Sequence, residues 1–199
     1  MNEIPRQPRV RPTTQAAEGV PRLRWTVAEF ERLAELGIFT EEDRIELIGG
    51  ELVPMSPKGN RHEIVRAALH NWLRRNLPDA IDYHAEPGWR ADGVNYCEPD
   101  FLLGKKGFSP TSTRPGDIDL VIEVAYSSLR FDTTVKANTY AALGAREYWV
   151  VNARTLVTRV HRDPSASGYG SAVDVEPSQV LVPLLLPSVT LKLGDLKIE

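Results

Sequence analysis

The stretch LVIEVAY, residues 120–126, constrains this chain more than any other part of it. A short apolar run rich in β-branched residues has the composition of a strand buried on both faces. Glu123 sits in the middle of that run. An ionised carboxylate buried without a partner costs several kcal/mol, so the group must take up a proton, meet a cation or bind a metal. The rest of the chain has to supply the partner.

Two other stretches bear on Glu123. Asp100 lies in EPD, directly after Pro99 and at the head of the apolar run FLLG. Only a polar loop separates that run from LVIEVAY, so antiparallel pairing of the two strands is the simplest topology. It would set Asp100 beside Glu123, and two adjacent carboxylates repel until one is protonated or a cation intervenes. A Mg²⁺ or Mn²⁺ ion with oxygen ligands resolves the conflict. The third group is Lys136, in FDTTVKANTYAALG. Asp132 there has the residue type of an N-cap, with Thr133 opening a helix that Gly144 stops. Tyr140 and Leu143 share the face of Lys136, which turns the lysine toward the core. There it could offset the carboxylates or activate a water.

The remaining pattern is mixed α and β. Thr26 and Glu29 have capping-box spacing ahead of a helix ending near Gly37. RIELIGGELVPM reads as a hairpin turning at Gly49-Gly50. A second helix is expected over 60–76, with Ile64, Val65, Ala68, Leu69, Trp72 and Leu73 facing the core. IDYHAEPGWRA, REYWVVN, TLVTRVHR and SVTLKL read as strands, and DPSASGYGS as a turn. Consecutive strands interleaved with helices predict an α/β domain with a central mixed β-sheet flanked by α-helices. Residues 1–23, with prolines at 5, 8, 12 and 21, read as a flexible N-terminal arm, and 24–199 as a single domain.

Composition narrows the function classes. A net charge of −3 argues against a protein that coats nucleic acid by bulk electrostatics, but not against a nuclease with an acidic metal site. No apolar stretch has the length of a membrane span, since even VLVPLLLPSV carries two prolines. The N-terminus lacks the apolar core of a secretory signal. The single cysteine, Cys97, excludes an intramolecular disulfide and a multi-cysteine zinc site. A cytoplasmic protein is expected.

The ordered set Asp100, Glu123 and a lysine resembles the PD-(D/E)XK nuclease superfamily. Pro99-Asp100 matches its first element. The lysine usually found two residues after the glutamate is replaced by Ala125, and Lys136, 13 residues on, fits a variant in which it has moved to the next helix. With RIELIGGELVPMSP, the following His62, IEVAYSS and DTTVKANTYAALGAREYWVVN, the chain is similar to the Uma-two family of restriction endonucleases over about 25–162 and the strand-rich tail. The resemblance implies a restriction-endonuclease-like fold and Mg²⁺-dependent (or Mn²⁺-dependent) endonuclease activity on nucleic acid, DNA foremost. It implies Asp100 and Glu123 as metal ligands with the carbonyl of Val124, and Lys136 as the catalytic lysine. Glu46 and His62 match recurrent polar positions near the site, and Asp132 and Tyr140 positions that support the lysine helix. A departure is Tyr126-Ser127-Ser128, where Ser-Pro is more usual. Restriction-type nucleases often act as symmetric dimers, so a homodimer is expected.

Each group also has a plainer reading. Glu123 and Lys136 could be a structural ion pair, Asp100 a turn residue, Glu46 a cross-strand charge beside Arg44, and His62 a capping residue. The whole could then be a catalytically silent nucleic-acid-binding or assembly module on the same fold, or a hydrolase of small phosphodiesters. His70, His84 and His161 lack ligand spacing and read as surface residues. Lys105, Lys106 and Arg114 form a solvated cluster that could also grip a phosphate backbone. Trp89 and Tyr148-Trp149 read as packing.

Overall fold

The computed structural model describes residues 13–15 and 21–198. Two short strands, β1 (Thr13–Gln15) and β2 (Pro21–Leu23), pair antiparallel within the stretch read as an arm, the rest of which lies outside the described residues. The helix α1 (Val27–Glu35) carries the expected capping box between Thr26 and Glu29. The hairpin β3 (Ile45–Ile48) and β4 (Glu51–Pro54) turns at Gly49 and Gly50, with φ of 60° and 85°. Positive φ at both turn positions matches the right-handed strand twist, and glycine adopts it without steric cost.

The helix α2 (Asn60–Asn76) has the predicted bounds, and Val65, Leu69 and Leu73 on it are buried. Then follow β5 (Ile81–Ala85), the two-residue strands β6 (Trp89–Arg90) and β7 (Tyr96–Cys97), β8 (Phe101–Lys105) and β9 (Ile118–Ala125). A helical segment over 129–143 comprises α3 (Leu129–Phe131), a π-helical turn (Asp132–Lys136) and α4 (Ala137–Leu143). The strands β10 (Glu147–Asn152), β11 (Thr158–Ser165) and β12 (Gly168–Val175) complete the main elements.

Six strands form a central mixed sheet in the order β12-β11-β10-β9-β8-β5. β9 and β10 are parallel, joined by the 129–143 crossover, and the other neighbours are antiparallel. β8 and β9 are adjacent as predicted, with Phe101 opposite Ile122, so continuing the antiparallel register one residue puts Asp100 opposite Glu123. Every residue of β9 is buried. Leu120, Ile122 and Val124 pack with α2 and the C-terminal tail on one face. Val121 and Ala125 pack with α4 on the other, the face that Glu123 shares by alternation.

Two expectations are corrected, and the hairpin takes a place that the sequence did not assign. The 45–54 hairpin does not join the central sheet but forms a separate four-stranded sheet, β4-β3-β7-β6, packed against the α4 face through Ile48, Trp89 and Cys97. The tail is not strand-rich, since after β12 a lone bridge joins Leu181 and Leu191. Pro183 and Pro187 remove the amides a ladder would need there. His161 is buried at 5% exposure, because its strand face lies under α4 and its ring packs against Tyr148 and Tyr169, 5.5 and 5.4 Å away. Trp89, Tyr148 and Trp149 are core residues, as expected, and Cys97 is fully buried.

Burial pushes the His161 imidazole below its ordinary value of 6.5, with Arg159 adding and Asp174 opposing. A histidine with a depressed folded pKa contributes stability that is complete above the unfolded value and lost as pH falls below it. His161→Phe is therefore expected to shrink the stability lost between about pH 7.5 and 5 relative to wild type. Urea midpoints of both proteins at the two pH values measure this, and equal losses would contradict it.

Candidate active site

Glu123 meets its partners at a single oxygen. Lys136 Nζ donates to Glu123 Oε1 at 2.8 Å and Tyr140 OH to the same atom at 3.1 Å. Lys136 also reaches Glu46 Oε1 at 3.0 Å, so the lysine bridges two carboxylates at 5% exposure. Glu46 comes from β3 of the smaller sheet, and its Oε1 accepts from the Glu98 amide at 2.8 Å. It is therefore more than a cross-strand charge beside Arg44: it is a buried carboxyl group at the junction of the two sheets.

The helix that carries Lys136 departs from its predicted start. It opens at Leu129, with Ser128 at the N-cap position, and Asp132 is not the cap. Asp132 instead begins the π-turn, where its carboxylate accepts from Ser128 Oγ at 2.5 Å and its carbonyl from Tyr148 OH at 3.2 Å. Thr133 and Thr134 donate back to the carbonyls of Leu129 and Arg130 at 2.7 and 2.6 Å, competing with the regular helical ladder. Asp132 and Lys136, at the two ends of this widened turn, are both buried. Single π-turns of this kind are frequent at functional sites.

Asp100 closes the other side. Its Oδ2 accepts from the Val124 amide at 2.7 Å and meets His62 Nε2 at 3.2 Å, and Lys58 Nζ stands 3.4 Å from Oδ1. His62 Nδ1 faces Glu63 Oε1 at 3.1 Å. A cavity of about 210 Å³ opens between these elements, lined by Asp100, Glu123, Val124, Lys136, Glu46 and His62. All six residues singled out in the sequence thus meet at one cavity.

The charge balance of this cavity favours a cation. Burial pushes the Glu123 carboxyl up to about 8; Lys136 pulls it down, while Asp100, Asp132 and Glu46 push it further up. Burial likewise raises Asp132 to about 6 against the pull of Lys136 and Ser128. Burial alone would lower the Lys136 ammonium, but Glu123, Glu46 and Asp132 outweigh it and hold the group well above its usual value. One lysine does not offset the carboxylates gathered around Glu123. Asp100 is the exception, since burial raises it but His62, Lys58 and the Val124 amide bring it below the ordinary range.

The donor set suits a hard ion. The two carboxylates, with Val124 beside them in the cavity wall, offer oxygen donors, and Mg²⁺ commonly takes one or two carboxylates and fills its remaining positions with water or phosphate. Both Lys136 and Tyr140 bind Oε1 of Glu123, which leaves Oε2 uncommitted to them. Among the described residues no three His, Cys, Asp or Glu side chains form a ready-made metal cage. The fit is therefore to an ion held partly by substrate or water, not to a structural metal such as zinc.

With this geometry in view, the relatives can be placed. The family model Uma2, described as "Putative restriction endonuclease", matches residues 27–194. The chain belongs to the Uma2 family. A crystal structure described as "a putative nuclease belonging to DUF820", from Anabaena variabilis, superposes with a TM-score of 0.64 at 17% identity, covering 82% of this chain and 95% of that one. At that identity the likeness establishes the fold, which is restriction-endonuclease-like. No curated protein matches the chain.

The match takes in the tail expected from the resemblance as well as the region up to Arg162, and that tail covers the α2 face of the sheet. Sequence reasoning missed Lys58, which contacts Asp100 and Glu86 from the loop before α2. Its one signal is position, four residues ahead of His62 in a short loop between two site elements. Arg44 and Glu98, which also line the cavity, were likewise not singled out. The cluster Lys105, Lys106 and Arg114 is exposed at the far end of the sheet. Asp100 precedes β8 and Lys105 ends it, a separation of roughly 16 Å along an extended strand. That loop is not part of this site.

Proposed function

We propose that this Uma2 chain is a Mg²⁺-dependent or Mn²⁺-dependent endonuclease that hydrolyses phosphodiester bonds of nucleic acid, with DNA as the favoured substrate. The observation that carries the reading is the meeting of Asp100, Glu123 and Lys136 at one open cavity in a chain of this family. Asp100, Glu123 and the Val124 carbonyl would hold the ion. A bound divalent ion supplies charge to the phosphate oxygens and lowers the pKa of water. Lys136 orients a water molecule or stabilises charge developing on the phosphate, and Glu46 fixes the lysine from behind. His62 and the Val124 amide set the orientation of Asp100. Tyr140 and the π-turn do the same for Glu123 and Lys136. The proposal includes a cytoplasmic homodimer, the form in which two equivalent sites can cut two strands. No helix of the described residues is long and apolar enough to cross a membrane.

One observation favours a rival. Both carboxylates already have protein partners, Lys58 and His62 at Asp100, and Lys136 and Tyr140 at Glu123. A silent binding module would keep these pairs for structure alone. The two readings separate in a cleavage panel of single- and double-stranded DNA and RNA, run with Mg²⁺, Mn²⁺ or chelator. The nuclease cuts at least one substrate only with metal. A protein that cuts none while still binding nucleic acid is the module.

A further inference from the structure

The residue that the proposed chemistry leaves unexplained is Arg44. It occupies left-handed backbone space, with φ 46° and ψ 73°, just after the 3₁₀ turn Glu41–Asp43 and before β3. Such a conformation costs a non-glycine residue of order 1 kcal/mol or more and persists where function or packing demands it. The side chain is as unusual as the backbone. Its Nε is buried without a hydrogen-bond partner, and Nη2 reaches only the Met55 sulfur at 4.0 Å. Among the described residues it forms no ion pair of the kind made by Lys58, Arg66 and Lys136, and its charge acts on Glu98 only at longer range, pulling that carboxyl down against burial.

Arg44 also stands between two spaces. It lines the catalytic cavity together with Glu98, and the same two residues line a neighbouring cleft of about 640 Å³. The other walls of that cleft include Phe30, Phe39 and Tyr96, with Phe39 and Tyr96 partly exposed. The Phe30 ring lies 6.2 Å from Phe39 and 5.3 Å from Tyr96. The volume falls within the range of about 300–1,000 Å³ typical of small-ligand sites. A guanidinium with an unpartnered Nε and no ion pair, beside aromatic walls, is the pairing that a nucleotide calls for, since guanidinium forks match phosphate and rings stack on bases.

Building on the nuclease reading, we propose that Arg44 and this cleft form the subsite for the nucleotide next to the cleaved bond. Arg44 takes the flanking phosphate, and the wall of Phe39 and Tyr96 takes the base, unstacked from its neighbours. The substrate is then a single-stranded or locally opened segment, because a base inside a duplex cannot reach the cleft.

The backbone strain at Arg44 provides a clean test. Glycine adopts left-handed space freely, so Arg44→Gly removes the guanidinium without adding strain. Binding of fluorescently labelled single-stranded and duplex oligonucleotides to the full chain is measured by anisotropy in chelator across a salt series. Cleavage of the same oligonucleotides with Mn²⁺ and the melting temperature are measured alongside. Arg44→Gly is expected to melt no lower than wild type, to weaken single-strand binding about tenfold, and to reduce the salt slope by about 0.7. Phe39→Ala is expected to weaken it about fivefold for normal strands. It should make no difference for a strand that is abasic beside the cleavage point. Wild-type affinity and salt slope in Arg44→Gly overturn the subsite, even if cleavage proves the nuclease reading sound. Arg44-dependent binding with no cleavage of any substrate sustains a nucleotide site at Arg44 and this cleft while it sinks the nuclease reading. Should Arg44→Gly melt lower, Arg44→Asn, which also tolerates this backbone, decides by the same readouts.

Discussion

Glu123→Gln is expected to remove metal-dependent cleavage by on the order of 10³-fold or more while the protein melts at an unchanged or higher temperature. Glutamine keeps the shape of the side chain and an oxygen to accept from Tyr140, so the interior of β9 has no reason to rearrange. What it loses is the charge. In the wild type that charge is unwelcome, since burial together with Asp100, Asp132 and Glu46 raises the carboxyl to about 8 despite Lys136. A group whose folded pKa is raised contributes stability below its unfolded value of about 4.5 and loses it progressively up to about 8. The amide escapes that loss. The same substitution takes one of two carboxylates from the metal, and Asp100→Asn should match its effect on cleavage. Activity assays with Mn²⁺ and thermal melts at neutral pH test both halves. Retained cleavage in Glu123→Gln would end the catalytic assignment, and a sharply lowered melting temperature would mean that the carboxylate is structural.

How much of this was visible in the sequence follows from where residue type and environment conflict. Glu123 stands out in an apolar strand, and Lys136 on an apolar helix face, because each contradicts its neighbours. Asp100 was found through topology, since two consecutive runs with a polar connector make adjacent strands, and the observed register agrees. The 45–54 hairpin announces itself through Gly49-Gly50, but its membership in a second sheet does not. Its partners β7 and β6 have two residues each, too few to show a period, and the pairing of Leu47 with Tyr96 spans the intervening helix α2. The π-turn has no local code; its stabilising bonds include one from Tyr148, on a strand that follows later. Lys58 and Arg44 look like ordinary surface cations until their surroundings are known. His161 was misread because strand alternation alone cannot tell which face a later helix and strand will cover.

Lys136→Met gives the second large effect, on stability as well as activity. Methionine fills a similar volume, so the change isolates the loss of a cation buried between Glu46 and Glu123. Removing one member of a buried ionic cluster leaves the remaining charges uncompensated and costs about 3–5 kcal/mol. The penalty should depend on pH in a defined way. Below about 8 Glu123 holds its proton in either protein, so the deficit there reflects mainly the loss of the Glu46 partner. Above it, the wild type can ionise Glu123 beside the lysine, whereas the variant, its carboxyl pushed still higher without that cation, keeps the proton and goes on losing stability relative to the unfolded chain. The stability gap between wild type and Lys136→Met is therefore smallest in acid and widens as pH rises through that value. Adding Glu123→Gln to Lys136→Met should recover part of the loss, a coupling that a double-mutant cycle by urea denaturation reads directly. Cleavage stays lost in the double variant, since stability returns without the groups that act on the phosphate. A gap that does not widen with pH, or strictly additive losses, would mean that Lys136 does not neutralise Glu123, and the buried carboxylate of β9 would need a different partner.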